Sequence, residues 1–407
     1  MKINKLDLKN IRCFRELTLE LNGESAVLVG DNGDGKSTVL RSLAMGLVDS
    51  SSASALHREL YGETVRRRSN HGRIRVDLES GGKIYRTETK ITPIRDRFER
   101  VDQKVFEINR GEPADCDESA FPWEKIFATG YGAGIRVHGT EDYDYYLAAD
   151  ALYPLFVYDK RLQNPELVLR RLISSADGKN YPAEPLTKLT SLLTQLLQFK
   201  LRDKIDLTRT AIAITTDRGE TPLTSAGDGY HSMVTWVLDL LSWWFLNASD
   251  GLTSVNGIVL IDEIEQHLHP RWQRNIVRLL TRSFKDVQFV ISTHSPLVAS
   301  GCEGIPVHRL NDQEHQVVRP FGWRAEDVYE MMGMASSRAE EFVVLLEKFQ
   351  ELDEKRLRNG GLTGADKSTF EDLYSRLEGM PGADPVRLVN TLENIARYAR
   401  NASTENV

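Results

Sequence analysis

The stretch Ser25-Ala26-Val27-Leu28-Val29, followed at once by Gly30-Asp31-Asn32-Gly33-Asp34-Gly35-Lys36-Ser37-Thr38, constrains the fold more than any other feature. A short apolar run bounded by glycine reads as a buried strand. Gly30-x-x-x-x-Gly35-Lys36-Ser37 is a phosphate-loop pattern, which needs a strand before it and a helix after it. The glycines let backbone N–H groups wrap a β-phosphate, and the helix N-terminus adds its positive dipole end. In this geometry Lys36 bridges the β- and γ-phosphates and Ser37 ligates Mg²⁺. The expected helix runs from Lys36 to Leu47.

A second apolar strand, Gly257–Ile261, ends in Asp262-Glu263. A buried strand cannot hold unpaired charges, so both carboxylates belong at its exposed carboxyl end. There Asp262 suits Mg²⁺ and Glu263 suits positioning or deprotonating an attacking water. Thr293-His294 follows a third apolar run, 287–292. His294 reads either as a γ-phosphate donor or as a structural loop histidine. His267 and His269, two residues apart, do not share a helix face, which favours packing beside a nucleotide or at a dimer surface over a metal site.

Strand signals at 2–9, 14–21, 72–91 and 209–215 alternate with helical ones at 142–200, 230–247 and 271–283. Gly81-Gly82 marks a turn within 72–91, and 51–70 and 92–120 read as polar and irregular. Alternation of this kind indicates an α/β fold with a mostly parallel sheet. From 323 onward the pattern is helical and amphipathic. The chain of 407 residues is long enough for two or three packing units. Its net charge of −7 excludes a uniformly basic nucleic-acid binder but leaves room for local basic faces. Arg66, Arg67 and Arg68 with Arg73 and Arg75 form one such cluster, and Arg95, Arg97, Arg100 and Lys104 another. They read equally as DNA contacts or as solvated charge. Three dispersed cysteines and no run of 18 apolar residues point to a cytoplasmic chain without a membrane span. The amino terminus has no signal-peptide pattern.

Together these residues resemble an ABC-type ATPase of the RecF/SMC/OLD group, most closely the small AAA-domain ATPases of bacterial antiphage systems. Asp262-Glu263-Ile264-Glu265-Gln266-His267-Leu268-His269-Pro270 matches that group's acidic strand–loop, and Ser292-Thr293-His294-Ser295-Pro296 its switch-histidine loop. Leu8–Phe14 resembles its first-strand signature, which implies that Arg12 approaches the nucleotide. Phe127–Ala133 resembles the segment occupying the Q-loop region, without the usual glutamine. A signature loop reaching the nucleotide of a second subunit is implied at Leu223–Tyr230. Two registers are open there, one on Ser225 and Gly227, the other on Asp228-Gly229-Tyr230, and a simple helix-capping turn is the alternative to both.

The resemblance implies an ABC-ATPase head, a P-loop mixed sheet with helices, carrying a helical insertion and a helical C-terminal tail. The expected divisions are 1–135, the N-terminal ATPase lobe; 136–205, the insertion; 206–322, the second ATPase lobe; and 323–407, the tail for partner or dimer contacts. The implied activity is Mg²⁺-dependent ATP hydrolysis in a homodimer or higher oligomer. The implied role is a switch, sensor or scaffold that controls a nuclease or toxin effector in antiphage defence. Alternatives are a RecF-like DNA repair ATPase and a nucleotide-gated scaffold. No apolar strand ending in paired acids follows residue 305, so no nuclease activity of its own is expected.

Overall fold

The computed structural model of the chain describes residues 1–60, 62–95, 98–134, 139, 143–170, 190–195, 197, 204–206, 212–217, 219–225, 227–247, 256–266, 268–311, 315–333 and 340–377. It divides into two compact units, Met1–Gly333 and Met334–Val407. Strands of the first unit are β1 (Lys2–Ile11), β2 (Phe14–Glu20), β3 (Ala26–Val29), β4 (Gly72–Ser80), β5 (Lys83–Arg95), β6 (Phe98–Asn109), β7 (Glu112–Cys116) and β8 (Ala128–Tyr131). Then come β9 (Lys204–Asp206), β10 (Ala213–Thr216), β11 (Gly219–Pro222), β12 (Asn256–Ile261), β13 (Asp286–Ser292), β14 (Val307–Leu310) and β15 (His315–Val318).

The central six-stranded sheet has the order β15-β14-β3-β13-β12-β8. All its pairings are parallel except the β14–β15 hairpin. Its apolar strands carry no alternation because both faces are covered. On one face lies helix α1 (Lys36–Gly46), held under a second six-stranded sheet of order β2-β1-β4-β5-β6-β7, which is antiparallel. Leu40 and Leu43 of α1 share one core with Leu6, Leu19, Val76 and Leu260. The Thr87 hydroxyl donates to Gly46 O at 2.9 Å and Gln103 Nε2 to Met45 O at 3.1 Å, so the second sheet also ends the helix's carbonyl row. The buried Gln288 side chain joins the sheets, donating to Ile3 O and Glu24 O at 2.9 Å each.

Other helices of this unit are α2 (Ser50–Arg58), α3 (Ala148–Leu152), α4 (Asp228–Asn247), α5 (Pro270–Gln273), α6 (Ile276–Ser283), α7 (Pro296–Ser300) and α8 (Ala325–Met331). Val234, Val237 and Leu241 of α4 join Ile261, Phe289 and Ile291 in a core separate from that of α1. A small sheet, β11-β10-β9, precedes α4. The second unit packs α9 (Glu340–Asn359) against α10 (Gly364–Leu377) through Phe349 and Phe370, stacked at 4.8 Å.

Three stretches differ from the sequence reading. Residues 92–116 continue β5 and add β6 and β7, where irregular backbone was expected. Backbone pairing in a solvated antiparallel sheet needs no apolar face, and β6 is exposed or half-buried at all but one of its residues. Residues 50–58 form α2, started by the Asp49 carboxylate, which accepts from Ser51 N and Ser52 N. The helix expected over 271–283 is two helices, α5 and α6, separated at Arg274-Asn275. Within 136–205 the described helical residues are α3, the 3-10 turn Tyr153–Leu155, 165–170 and 190–195, and residues 171–189 and 198–203 lie outside the described ones. So does His267, and so do residues 378–407 of the expected tail.

Candidate nucleotide site

Because β13 lies between β3 and β12, the loops after all three open side by side at the carboxyl edge of the sheet. The first is the glycine loop. Gly35 caps α1 with φ of 87° and supplies no side-chain hydrogen bond. A Cβ there would lie 2.4 Å from the Phe14 ring, so only glycine fits. Gly30 is equally constrained, because a Cβ would come 2.5 Å from Leu310 O. Asp31, Asn32 and Gly33 are exposed at the loop tip, Ser37 is half-buried and Thr38 is buried.

Lys36 is buried, and its ammonium donates to Gly30 O and Asp31 O at 2.8 Å each. The Asp34 carboxylate accepts from Asp31 N at 2.6 Å, which closes the loop on itself. Burial lowers the Lys36 pKa, against the raising fields of Asp34, Asp262, Glu263 and Asp31. The ammonium therefore stands in the field of the β12 carboxylates, where a phosphate-bridging lysine must be.

Asp262 is buried and Glu263 half-buried. The Ser292 hydroxyl, at the end of β13, donates to Asp262 Oδ1 and accepts from Glu263 N at 2.8 Å. Asp262 N donates to Tyr131 O at 2.8 Å, tying the acid to the end of β8. Glu263 adopts φ of 49°, a left-handed conformation that costs a non-glycine residue on the order of 1 kcal/mol. Gln266 Nε2 donates to its carboxylate. Glu265 accepts from Thr293 Oγ1 and from His294 N, both at 2.6 Å. One carboxylate thus fastens the acidic loop to the His294 loop and sets where His294 stands.

Arg12 has φ of 47° at the turn between β1 and β2, the turn whose Phe14 covers Gly35. Arg41 of α1 had drawn no attention in the sequence. Burial lowers its pKa, the field of Asp262 opposes that, and the charge of Arg12 adds to it. Arg12, Arg41 and Asp262 are therefore electrostatic neighbours. Ser292 and Glu265 were visible only as letters of matched motifs. Their work depends on loops 29 and 28 residues apart meeting in space.

Ser225, Gly227 and Gly229 stand at the start of α4. Gly227 O accepts from Tyr230 N at 2.9 Å and from His231 N at 3.2 Å, which makes it the helix cap. Ser225 and Gly227 are exposed. Among the described residues no hydrogen bond joins these three to the Lys36 cluster.

The residues fit a nucleoside triphosphate and a divalent cation. α1 offers an N-terminus with no side-chain cap, and Gly33 leaves open space over the loop. Among the described residues no group of three or more His, Cys, Asp or Glu side chains gathers to hold a metal ion. The donors present, the Ser37 hydroxyl and the Asp262 carboxylate, suit Mg²⁺, which takes few protein ligands and keeps waters and phosphate oxygens.

A buried parallel sheet, a glycine loop feeding a helix and an acidic strand one position removed define a P-loop α/β nucleotide-binding domain. Residues 25–300 match the family model described as "AAA domain, putative AbiEii toxin, Type IV TA system", and the chain belongs to that family.

Similar proteins include "Retron Vc95 probable ATPase" of Vibrio cholerae serotype O1 biovar El Tor, 38% identical over 24% of this chain and 20% of the relative. "Retron Ec83 probable ATPase" of Escherichia coli is 52% identical over 15% of this chain and 10% of its own length. "Septu protein PtuA" of Bacillus mycoides (strain KBAB4) is 22% identical over 83% of this chain and 44% of the relative. The chain therefore spans less than half the length of these three. Among solved structures, an SMC head bound to the C-winged helix domain of ScpA matches at 14% identity and TM-score 0.48, over 78% of this chain and 98% of that one.

Proposed function

We propose that this chain is a Mg²⁺-dependent ATPase of the ABC type, working as an ATP-controlled switch in antiphage defence. The convergence of Lys36, Asp262 and Glu263 at one sheet edge carries this reading. Mg²⁺, when bound, would supply charge neutralisation to the phosphates. Lys36 and the α1 N-terminus hold the phosphates. Ser37 and Asp262 hold the cation. Glu263, oriented by Gln266 and by Ser292, positions a water and takes its proton. His294, held through Glu265, donates toward the γ-phosphate.

The exposed Ser225–Gly227 turn faces a second copy in this reading and completes its nucleotide site. Closure of the pair then reports the γ-phosphate to an effector protein, a nuclease or toxin. The retron and Septu relatives support the defence setting. The deciding experiment is equilibrium ATP binding and turnover by three proteins. Wild type binds and hydrolyses, Lys36→Ala loses binding, and Glu263→Gln binds without turning over. ATP affinity unchanged in Lys36→Ala contradicts the assignment.

A RecF-like role on DNA has one observation in its favour. Arg12, Arg15, Arg67, Arg68 and Arg73 form no ion pair among the described residues, and Arg66, in the loop before β4 with Arg67 and Arg68, reaches Cys13 O. Tight, salt-sensitive and ATP-dependent binding to DNA ends, with no copurifying effector, is the result that selects this second reading.

A further inference from the structure

Behind the acidic strand end lies a polar network that phosphate chemistry does not use. Asp239 sits in the middle of α4 and is 2% exposed. Its carboxyl accepts from the Tyr131 hydroxyl at 3.1 Å and from Gln163 N at 3.0 Å. The Gln163 side chain is held in turn by the Ser242 hydroxyl at 3.0 Å. Tyr131 is itself 1% exposed and is the last residue of β8, in register with Ile261. Its carbonyl accepts the Asp262 N–H at 2.8 Å. Two bonds on one residue therefore connect a buried acid on α4 to the backbone of the cation-binding acid.

We infer that Asp239 is a positioning residue, which locks α4 through Tyr131 onto the strand end that carries Asp262. The turn at Ser225–Gly227 sits at the beginning of that same helix. A rigid helix transmits a shift of its middle to its end, so the lock relates the γ-phosphate end of one site to the surface offered to a second copy. A buried carboxyl answered by neutral donors is a costly way to fill a core, and an apolar residue would serve packing alone. Burial pushes the Asp239 pKa up to about 6, against the hydrogen bonds it accepts. The closest packing agrees with a fixed joint: a Cβ on Gly132 would meet Pro154 O at 2.5 Å and one on Gly134 would meet Tyr158 O at 1.9 Å.

This inference rests on the ATPase reading for its consequence but not for its first test. Amide hydrogen exchange is measured on the full chain without nucleotide, in wild type, Tyr131→Phe, Asp239→Asn and Asp239→Ala. Tyr131→Phe removes one hydroxyl and no packing volume. The lock predicts faster exchange, by about tenfold, at Asp262 and across the first turns of α4 together, in Tyr131→Phe and Asp239→Ala alike. Asp239→Asn, which keeps an acceptor for Gln163 N, stays close to wild type. Unchanged exchange in Tyr131→Phe, or a change confined to one side, overturns the inference.

Turnover gives the second readout. Tyr131→Phe and Asp239→Ala lower kcat about tenfold with ATP affinity intact, and the double variant loses no more than either alone. Additive losses, or losses in affinity instead of kcat, contradict it. If wild type neither binds nor hydrolyses ATP, the functional reading fails while the exchange result still decides the lock.

Discussion

In the proposed mechanism Lys36, Asp262 and Glu263 carry the chemistry, and each was legible as a letter in a pattern. The residues that aim them were not. Ser292 hydrogen-bonds the side chain of one acid and the backbone of the next, and no spacing rule links position 292 to 262. Glu265 shows the same limit, since its two partners come from the loop after β13. Replacing it by alanine strands the His294 N–H and the Thr293 hydroxyl, at about 1–3 kcal/mol for each buried donor. The expected outcome for Glu265→Ala is a lower Tm, with turnover reduced and ATP affinity retained. Glu263→Gln is the cleaner catalytic probe, because the amide keeps shape and loses the base. Its kcat falls about 10²–10⁴-fold with affinity unchanged, measured by phosphate release and by calorimetry.

At the scale of elements, apolar runs were readable and polar pairing was not. β3, β12 and β13 announce themselves because both faces are covered. β6 and β7 hide in a charged stretch, where a cross-strand pair such as Lys83–Glu107, between β5 and β6, replaces apolar alternation. Charge between strands also fixes the loop beside the arginine cluster. Glu99 on β6 accepts from Thr64 N at 3.1 Å, Val65 N at 2.9 Å and His57 Nε2 at 2.9 Å.

Burial raises the Glu99 pKa, but the bonds from His57, Val65 and Thr64 outweigh it and leave the pKa below its ordinary 4.5. A depressed carboxylate stabilises the fold above the unfolded pKa and loses that contribution as pH falls through the folded one. The Tm gap between wild type and Glu99→Gln is therefore full at neutral pH and closes below about 4.5, by calorimetry across pH. The β14–β15 hairpin acts over a window that opens at higher pH. His308 is buried with Nδ1 2.8 Å from His315 Nε2, and burial, then the His315 charge, lowers its pKa to about 4. The unfolded chain takes up this proton at about 6.5 and the folded one resists it, so stability is lost as pH falls from 6.5 toward 4. His308→Gln flattens that slope in the same scans.

For the whole molecule, the sheet order gathers three motif loops at one edge, while the fourth, at the head of α4, stays exposed and apart from them. In the proposed reading that separation suits a site shared between two copies. No helix among the described residues is long and apolar enough to cross a membrane. The charge of −7 over 407 residues gives no general attraction to polyanions. ATP held but not hydrolysed should fix the closed pair. The decisive measurement is the solution mass of the Glu263→Gln protein, by light scattering, with and without Mg²⁺-ATP. The account predicts a shift from the 46.1 kDa chain to twice that mass or a higher even multiple, with no shift when Lys36→Ala is added. A mass that ignores ATP while calorimetry shows the nucleotide bound would contradict it.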